Sequence, residues 1–389
     1  MTNHISKIEK LIAELCPNGV KHEELRDVAQ YSKQRIAAIE LDHENYVGVD
    51  NLLPNKQGKT TSNYVPTTGN LTRFESGDIL LGNIRPYLKK VWRATHVGGT
   101  NGDVLVIQIN DKEELRSEFL YYLLSSDDFF NFDMKFAKGA KMPRGNKYAI
   151  LKFKIPLPPL AVQEEIVKIL NSFKELEAEL EAELEARKKQ YEYYRSELLT
   201  FGDGVRWTTL DEVCLSITAG GDLPENYLKG QNMPTKEFPY PIYSNGTDDK
   251  ALYGHTDGYK IDSEAVTISA RGTIGYHAVR RAKFTPIVRL ITLIPNTKII
   301  MSWFLNYILD ITEIGHSGGS IPQLTVPNVK KIKIPVPELA EQERIVSILD
   351  KFDALVNDIS IGLPAELAAR RLQYEYYRGK LLSFKEYAN

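Results

Sequence analysis

Lys154–Phe173 reads KIPLPPLAVQEEIVKILNSF, and Lys333–Phe352 reads KIPVPELAEQERIVSILDKF. Two stretches this alike do not arise by chance, so the chain contains an internal duplication. A second pair lies further on: Gln190–Phe201 (QYEYYRSELLTF) matches Gln373–Phe384 (QYEYYRGKLLSF). Fainter echoes carry the match across a whole unit. Gly19–Val28 parallels Gly204–Val213, Phe119–Tyr122 parallels Phe304–Tyr307, and Met142-Pro143-Arg144 parallels Ile321-Pro322-Gln323. The repeated unit is a globular part followed by a long helix.

In each copy a proline pair or triplet (Pro156, Pro158, Pro159; Pro335, Pro337) ends the globular part, because proline forces the residue before it into extended conformations. A helix then starts, with apolar residues at Val162, Ile166, Ile169, Phe173, Leu176 and Leu180. Steps of three and four make this the seam of a coiled coil. Two four-residue steps in a row, Leu176 to Leu180 to Leu184, insert a stutter before Arg187, Tyr191, Tyr194 and Leu198. Its source is a tandem tetrapeptide: Leu176-Glu-Ala-Glu, Leu180-Glu-Ala-Glu, Leu184-Glu-Ala-Arg. The glutamates from Glu175 to Glu185 fit a solvated face, with Glu183–Arg187 and Glu185–Lys189 pairs one turn apart, better than an acidic binding tract. The second helix opens the same way (Ile345, Ile348, Phe352, Leu355, Ile359). Gly362-Leu363-Pro364 should break or kink it before Leu367, Tyr374, Tyr377 and Leu381.

A third helical piece opens the chain, with Ile5, Ile8, Ile12 and Leu15, and ends at Cys16-Pro17-Asn18-Gly19. It precedes the first globular part as the end of the middle helix precedes the second. It is therefore expected beside the C-terminal helix, in a nearly circular organisation. The divisions that follow are an N-terminal helix at 1–18, a globular domain at 19–157, a central helix at 158–202, a second globular domain at 203–336 and a C-terminal helix at 337–389. Within the globular parts, Ile79-Leu-Leu, Val104-Leu-Val-Ile, Ala265-Val-Thr-Ile and Ile291-Thr-Leu-Ile predict strands between Gly/Asn/Asp turns. Short helices are predicted over Glu118–Leu124 and Met301–Leu309. The fold class is α+β.

With 389 residues the chain can bury two cores, and its 42% hydrophobic and 26% charged content is ordinary for globular protein. No apolar run reaches membrane-spanning length, and MTNHISKIEK lacks the apolar segment of a signal peptide. Cys16 and Cys214 are the only cysteines; the expectation is two incidental thiols in a reducing cytoplasm. Catalytic constellations are missing. Gly58-Lys59-Thr60 lacks the upstream glycine of a phosphate loop, the histidines have no metal-binding spacing, and neither Ser269 nor Ser320 has a nucleophile-elbow context. Asp133-Met-Lys135 is a nuclease-like fragment with no upstream partner. The expectation is a non-catalytic binding protein with no metal and no cofactor of its own.

A net charge of −2 hides strong segregation. From Met134 to Lys154 the chain carries Lys138, Lys141, Arg144 and Lys147 among other cations, and no acid. Arg85, Lys89, Lys90 and Arg93 stand in a second acid-free stretch, Ile79–Gly102. The second copy has Arg271, Arg280, Arg281, Lys283 and Arg289 between Ala265 and Leu309. Such one-sign stretches suit a phosphate backbone, and the polar Arg271-Gly-Thr and Ser317–Gln323 segments could reach base edges. The candidate DNA contacts are thus Arg85, Lys89, Lys90, Lys138, Lys141, Arg144 and Lys147 in the first copy, and Arg271, Arg280, Arg281, Lys283 and Gln323 in the second.

The duplicated K-I-P-[LV]-P-x-L-x-x-Q-E-x-I-V-x-I-L and Q-Y-x-Y-Y-R-x-x-L-L-[ST]-F segments resemble the conserved helical regions of type I restriction-modification specificity subunits (HsdS). Gly77–Leu80 with Arg85, Ala265–Gly275, Tyr240–Gly246 and Ser317–Ser320 resemble stretches of their target-recognition domains. The resemblance implies two such domains joined and separated by two long antiparallel helices with pseudo-two-fold symmetry. Each domain would read one half of a bipartite double-stranded DNA site. It further implies docking of two methyltransferase subunits and of ATP-driven restriction subunits, with S-adenosylmethionine, ATP and Mg on those partners, in a bacterial or archaeal cytoplasm. The alternative is a duplicated coiled-coil scaffold that binds only proteins.

On the DNA reading the tetrapeptide array is a ruler. Four helical residues add about 6 Å of rise and about 40° of rotation, against roughly 3.4 Å and about 35° for a base pair. Deleting Leu180–Glu183 should shorten the gap between half-sites by one or two base pairs and leave both half-sites unchanged. Methylation mapping of the deletion variant checks this, and an altered half-site with an unchanged gap would refute it.

Overall fold

The computed structural model describes residues 2–202, 204–314, 323–358 and 360–387. The Ser317–Ser320 and Ile321-Pro322 segments, and Ile359 of the second seam, lie outside the described residues. Two compact units emerge, Met1–Leu180 with Leu367–Asn389 (unit 1) and Glu181–Glu366 (unit 2).

Unit 1 runs α1 (Thr2–Leu15), β1 (Lys21–Glu24), one turn of α2 (Leu25–Val28), β2 (Ala29–Tyr31), β3 (Arg35–Ala37), β4 (Asn70–Phe74), β5 (Ile79–Gly82), β6 (Val91–Arg93), β7 (Gly98–Thr100) and β8 (Val104–Ile109). Then come α3 (Ser117–Leu124), α4 (Asp127–Phe136), the short α5 (Lys147–Ile150), β9 (Lys154–Leu157) and the long α6 (Leu160–Leu199). Unit 2 takes up the end of α6. It continues through β10 (Arg206–Thr209), α7 (Leu210–Val213), β11 (Cys214–Ala219), β12 (Tyr227–Lys229), β13 (Tyr240–Tyr243), β14 (Leu252–Thr256), β15 (Ala265–Ser269) and β16 (His277–Arg280). Next are β17 (Thr285–Pro286), β18 (Leu290–Pro295), α8 (Ser302–Ile311), α9 (Val326–Lys330), β19 (Lys333–Val336) and α10 (Leu339–Val356). The last helix, α11 (Leu363–Leu382), returns the chain to unit 1.

The repeat is visible in the topology. Unit 1 has an antiparallel sheet of order β2-β8-β5-β6, and unit 2 has β11-β18-β15-β16, the same order in corresponding segments. A second sheet in each (β3-β4-β7; β12-β14-β13-β17) differs in strand number and pairing. The main strands read as apolar runs because both faces are covered. Along β5 and β8 of unit 1, Ile79, Leu81, Leu105 and Ile107 join the core under the helices. Leu80, Val104 and Val106 face the other way, onto Val47, Leu52 and Phe74 of the second core. The KIP segments of the two copies pair alike: β9 lies antiparallel to β1 with Ile155 opposite Glu23, and β19 to β10 with Ile334 opposite Thr208.

One side chain ties each globular part to its helix. Gln163 is fully buried; its amide donates to Glu114 O (2.9 Å) and Pro158 O (2.8 Å), and its carbonyl accepts from Arg116 N (2.9 Å). Arg116 is the N-cap residue of α3, so the glutamine caps one helix while sitting on another. Gln342 repeats the arrangement with Ile299 O (2.9 Å), Pro337 O (2.8 Å) and Met301 N (2.9 Å), Met301 being the N-cap residue of α8. A second tie accompanies it. Tyr122 donates to Asn171 Oδ1 (2.5 Å) in unit 1, and Tyr307 donates to Asp350 Oδ1 (2.6 Å) in unit 2.

The helices close each unit crosswise. Phe173, from the start of α6, stacks on Tyr377 (centroids 5.7 Å apart) and packs on Tyr374 (6.1 Å) of α11. In unit 2, Phe352 of α10 stacks on Tyr194 (5.5 Å) and packs on Tyr191 (6.2 Å), near the end of α6. Arg378 and Arg195 lie over Tyr374 and Tyr191 at 5.5 and 5.6 Å. Within each unit the paired helices run antiparallel; in unit 1 Phe173 meets Tyr377 while Glu177, one turn on, meets Arg371 at 2.6 Å. In α1, Ile8 is buried, Lys7 reaches Glu165 (2.7 Å) and Glu9 reaches Lys380 of α11 (2.7 Å).

The seam differs from the sequence-based expectation in the middle. Val162, Ile166, Ile169 and Phe173 are buried, but Leu176, Tyr194 and Leu355 are exposed, while Leu170, Leu349 and Val356 are buried outside the expected stripe. Each helix start packs on a globular core as well as on a helix, so its apolar face is wider than a coiled-coil stripe. The helix does break where Gly362 stands. A Cβ there would collide with the Ala354, Leu355 and Asp358 carbonyl oxygens. Pro364 follows as the second residue of α11, where its missing N–H costs no hydrogen bond. Along α6, Glu183–Arg187 (2.9 Å) and Glu185–Lys189 (3.6 Å) form the surface pairs expected of a solvated face.

Replacing Gln163 by alanine leaves three backbone groups without their partner and should lower the stability of unit 1 by about 3 kcal/mol. Gln342→Ala should do the same to unit 2. Hydrogen exchange resolved by segment checks this; protection lost equally in both units from one substitution would contradict the assignment of one clamp to each.

Candidate nucleic-acid interface

The turn that leaves β5 and the loop that precedes α5 are sewn together in unit 1. Arg85 N donates to Pro143 O (2.7 Å), Gly145 N to Asn83 O (2.9 Å), and Lys138 and Arg144 exchange both backbone hydrogen bonds (2.9 and 2.8 Å). Gly139 at φ 111° makes the turn between them. Arg85, Lys138, Lys141 and Arg144, distant in sequence, thus converge on one exposed edge. Arg85 holds φ 54°, a left-handed conformation costly for a residue with a side chain, and of the kind that gathers at functional sites. Lys147 is exposed at the start of α5, whose N-cap Asn146 accepts from Tyr148 N (3.1 Å).

Two other candidates in this unit, Lys89 and Lys90, are already engaged. Lys89 pairs with Asp127 (2.6 Å), and Lys90 donates to Val49 O (2.7 Å). Arg144 reaches Asp103 (3.3 Å), and Arg93 donates to Ser117 Oγ (2.7 Å) and pairs with Glu118. The stretches are acid-free along the chain, but the fold supplies acids from other elements. Asp127 is held below the usual carboxylate range by its hydrogen bond to Lys89.

In unit 2, β15 leads into a loop that carries Arg271. Asn245 braces it, donating to Arg271 O (2.6 Å), while Thr273 donates back to Asn245 O. Gly272 at φ 81° and Gly275 at φ 86° make the turns, and Gly275 N closes the loop on Ser269 O (3.0 Å). Leu324 N donates to Ala270 O (2.9 Å), which sets exposed Gln323 beside the same loop as Arg144 stands beside Arg85. Arg280 turns inward; its guanidinium lies over Tyr243 (4.1 Å) and donates to Thr267 Oγ1 (3.2 Å). Lys283 lies over Tyr259 (5.7 Å) at φ 69°, and Arg281 is exposed. Asn245 was not among the sequence candidates; its Ser-Asn-Gly turn was the signal that could have found it.

Asp133, which the sequence offered only as part of an unpartnered nuclease-like fragment, is the second such feature. It is 1% exposed, and neither carboxylate oxygen has a hydrogen-bond partner. The Oδ1 of Asn83 is orphaned beside it, for both residues crowd the space where a Cβ on Gly145 would stand (2.6 and 2.9 Å). Burial pushes the Asp133 carboxyl up to about 6. The acid lies under the loop that presents Arg144.

The duplicated fold agrees with what the comparisons find. The family model of the type I restriction modification DNA specificity domain matches twice, at residues 17–186 and 207–369. The specificity subunit of the type I restriction enzymes EcoR124I and EcoR124II from Escherichia coli is 34% identical over 305 residues, covering 72% of this chain and 74% of that one. A Haemophilus influenzae chain named as a type I restriction enzyme specificity subunit is 33% identical over 337 residues, 80% of this chain and 81% of that one. Among solved structures, the HsdS subunit from Thermoanaerobacter tengcongensis aligns over 95% of this chain and 96% of its own with a TM-score of 0.52 at 20% identity. The S subunit of a type I system from M. genitalium gives 0.57 at 17% identity, over 93% and 96%. The chain belongs to the DNA specificity subunits of type I restriction-modification systems. A scaffold that binds only proteins is set aside.

Asp133 makes a prediction for unit 1. A carboxyl whose folded pKa lies above its unfolded value near 4 is stabilising when protonated, so stability should fall as pH rises from about 4 through about 6. Two units correspond to on the order of 3 kcal/mol. Asp133→Asn keeps the shape, gives Asn83 Oδ1 a donor and should remove this loss. Thermal melts at pH 5 and pH 8 test it: the variant's gain on the wild type should be clearly larger at pH 8 than at pH 5.

Proposed function

We propose that each unit reads one half of an asymmetric, bipartite DNA site, and that the chain supplies recognition without catalysis. The observation that carries this reading is the matched loop pair: Arg85 beside Arg144 in unit 1, Arg271 beside Gln323 in unit 2. A guanidinium suits guanine O6 and N7 in the major groove, and a carboxamide suits adenine N6 and N7. Lys138, Lys141 and Lys147 in unit 1, with Arg281 in unit 2, suit phosphates, which fix register without reading sequence. Because the readers differ between units, the two half-sites differ.

The helices hold the readers at a set spacing and dock two methyltransferase subunits, to which restriction subunits add. S-adenosylmethionine, ATP and Mg act on those partners, in the cytoplasm of a bacterium or archaeon. This chain's contribution is where the complex binds.

Genome-wide methylation profiling with and without the chain, its modification partners present, tests the reading and yields both half-sites with their gap. Arg144→Ala should relax one position of one half-site by about 1–3 kcal/mol, and Arg271→Ala one position of the other. Lys138→Ala should weaken binding to all sequences and lower the salt slope by about one. If both arginine variants change the same half-site, the division of labour between units is wrong.

A further inference from the structure

His277 opens β16 immediately after the Arg271 loop, and its side chain is 10% exposed. Both ring nitrogens face acceptors: Nδ1 lies 2.8 Å from Gly275 O, and Nε2 lies 3.2 Å from Asp310 Oδ1 on α8. A neutral imidazole has one N–H and satisfies one of the two; the imidazolium donates to both. Gly275 stands near the end of the Arg271 loop and closes it on Ser269, so the ring grips the foot of the loop.

The grip continues beyond the sheet. Asp310 is approached from its other side by Arg195 of α6 (3.7 Å), and Arg195 pairs with Glu192 (2.8 Å) and lies over Tyr191. The charged groups that face the ring are therefore the Asp310 carboxylate and, behind it, Arg195 with Glu192. On its own sheet the ladder partner is Ile268, which is uncharged. Burial pulls the ring's pKa down. The hydrogen bond to Asp310, the carbonyls of Gly275 and Asn306 and the carboxylate's charge outweigh it, and the net shift is upward.

We propose that His277 is a positioning residue for DNA reading by unit 2: as an imidazolium it ties the Arg271 loop to Asp310 of α8, and recognition of that half-site weakens when the ring loses its proton. The proposal rests on the DNA reading of unit 2 given above. A histidine with a raised pKa contributes stability that is complete below its ordinary value near 6.5 and is lost as pH rises through the folded value. Tight reading of this half-site therefore belongs to the acidic and neutral side.

The test uses the full chain with its modification subunits. The half-site that Arg271→Ala alters is assigned to unit 2, and its contribution to affinity is followed from pH 6.5 to 9 by competition between cognate and half-substituted duplexes. Asp133, with a pKa of about 6, and Lys174, pushed down to about 8 by burial, titrate in unit 1, so the comparison is between wild type and variant on the unit 2 half-site alone. Wild type should lose roughly tenfold in discrimination across that range. His277→Gln, a neutral donor, should be weak and flat, and Asp310→Asn should move the loss to lower pH.

Selective isotope labelling of histidine, with the His277 resonance assigned by its absence in His277→Gln, should show the ring titrating above 6.5 in the free chain. An equal pH slope in wild type and His277→Gln, or a ring that titrates at or below 6.5, would overturn the proposal. If the ring titrates as expected but no half-site responds to Arg271→Ala, it is the DNA reading of unit 2 that fails and not the clamp.

Discussion

A buried glutamine has to satisfy both ends of its amide or it destabilises whatever surrounds it. Gln163 and Gln342 each do so with backbone groups from two places: the proline turn just before their own helix, and the N-cap of a helix in the globular part. Each makes the angle between a helix and a domain a matter of hydrogen-bond geometry, which apolar packing alone would leave loose. Everything the chain does with two separate readers depends on that angle being set twice in the same way.

The aromatic clasps divide the work differently. Phe173 and Phe352 stand just beyond the glutamines, yet each stacks on tyrosines from the far end of the opposite helix. The residues that hold a globular part are thus all in segments that match between the copies. The second sheets, which do not match in strand number, carry none of these ties. Reading surfaces can diverge because the fastening is elsewhere.

Much of this was legible in the amino-acid order. The duplication, the proline boundaries, the break at Gly362 and the main strands follow from local chemistry, since turn residues and periodicity act over a few positions. The seam was legible at its ends only: Leu355 has the right spacing but is exposed, while Leu349 and Val356 are buried, because a globular core claims part of the helix face. The recognition surface was harder. Lys89, Arg144 and Arg280 meet Asp127, Asp103 and Tyr243, which lie tens of residues away, and such pairings depend on the tertiary fold. Asp133 read only as part of an unpartnered nuclease-like fragment, and His277 escaped notice, for the same reason, since an unpaired acid or a doubly bonded ring is defined by its neighbours.

The crossed clasps also set an order of events during synthesis. Unit 2 is one continuous stretch, Glu181–Glu366, but unit 1 is assembled from two pieces far apart in the chain. When Phe173 leaves the ribosome, the tyrosines it will stack on are some two hundred residues from being made, a wait of roughly 10–40 s at ordinary translation speed. The first domain to be translated is the last to be closed, and its apolar helix face stays uncovered while the second domain folds.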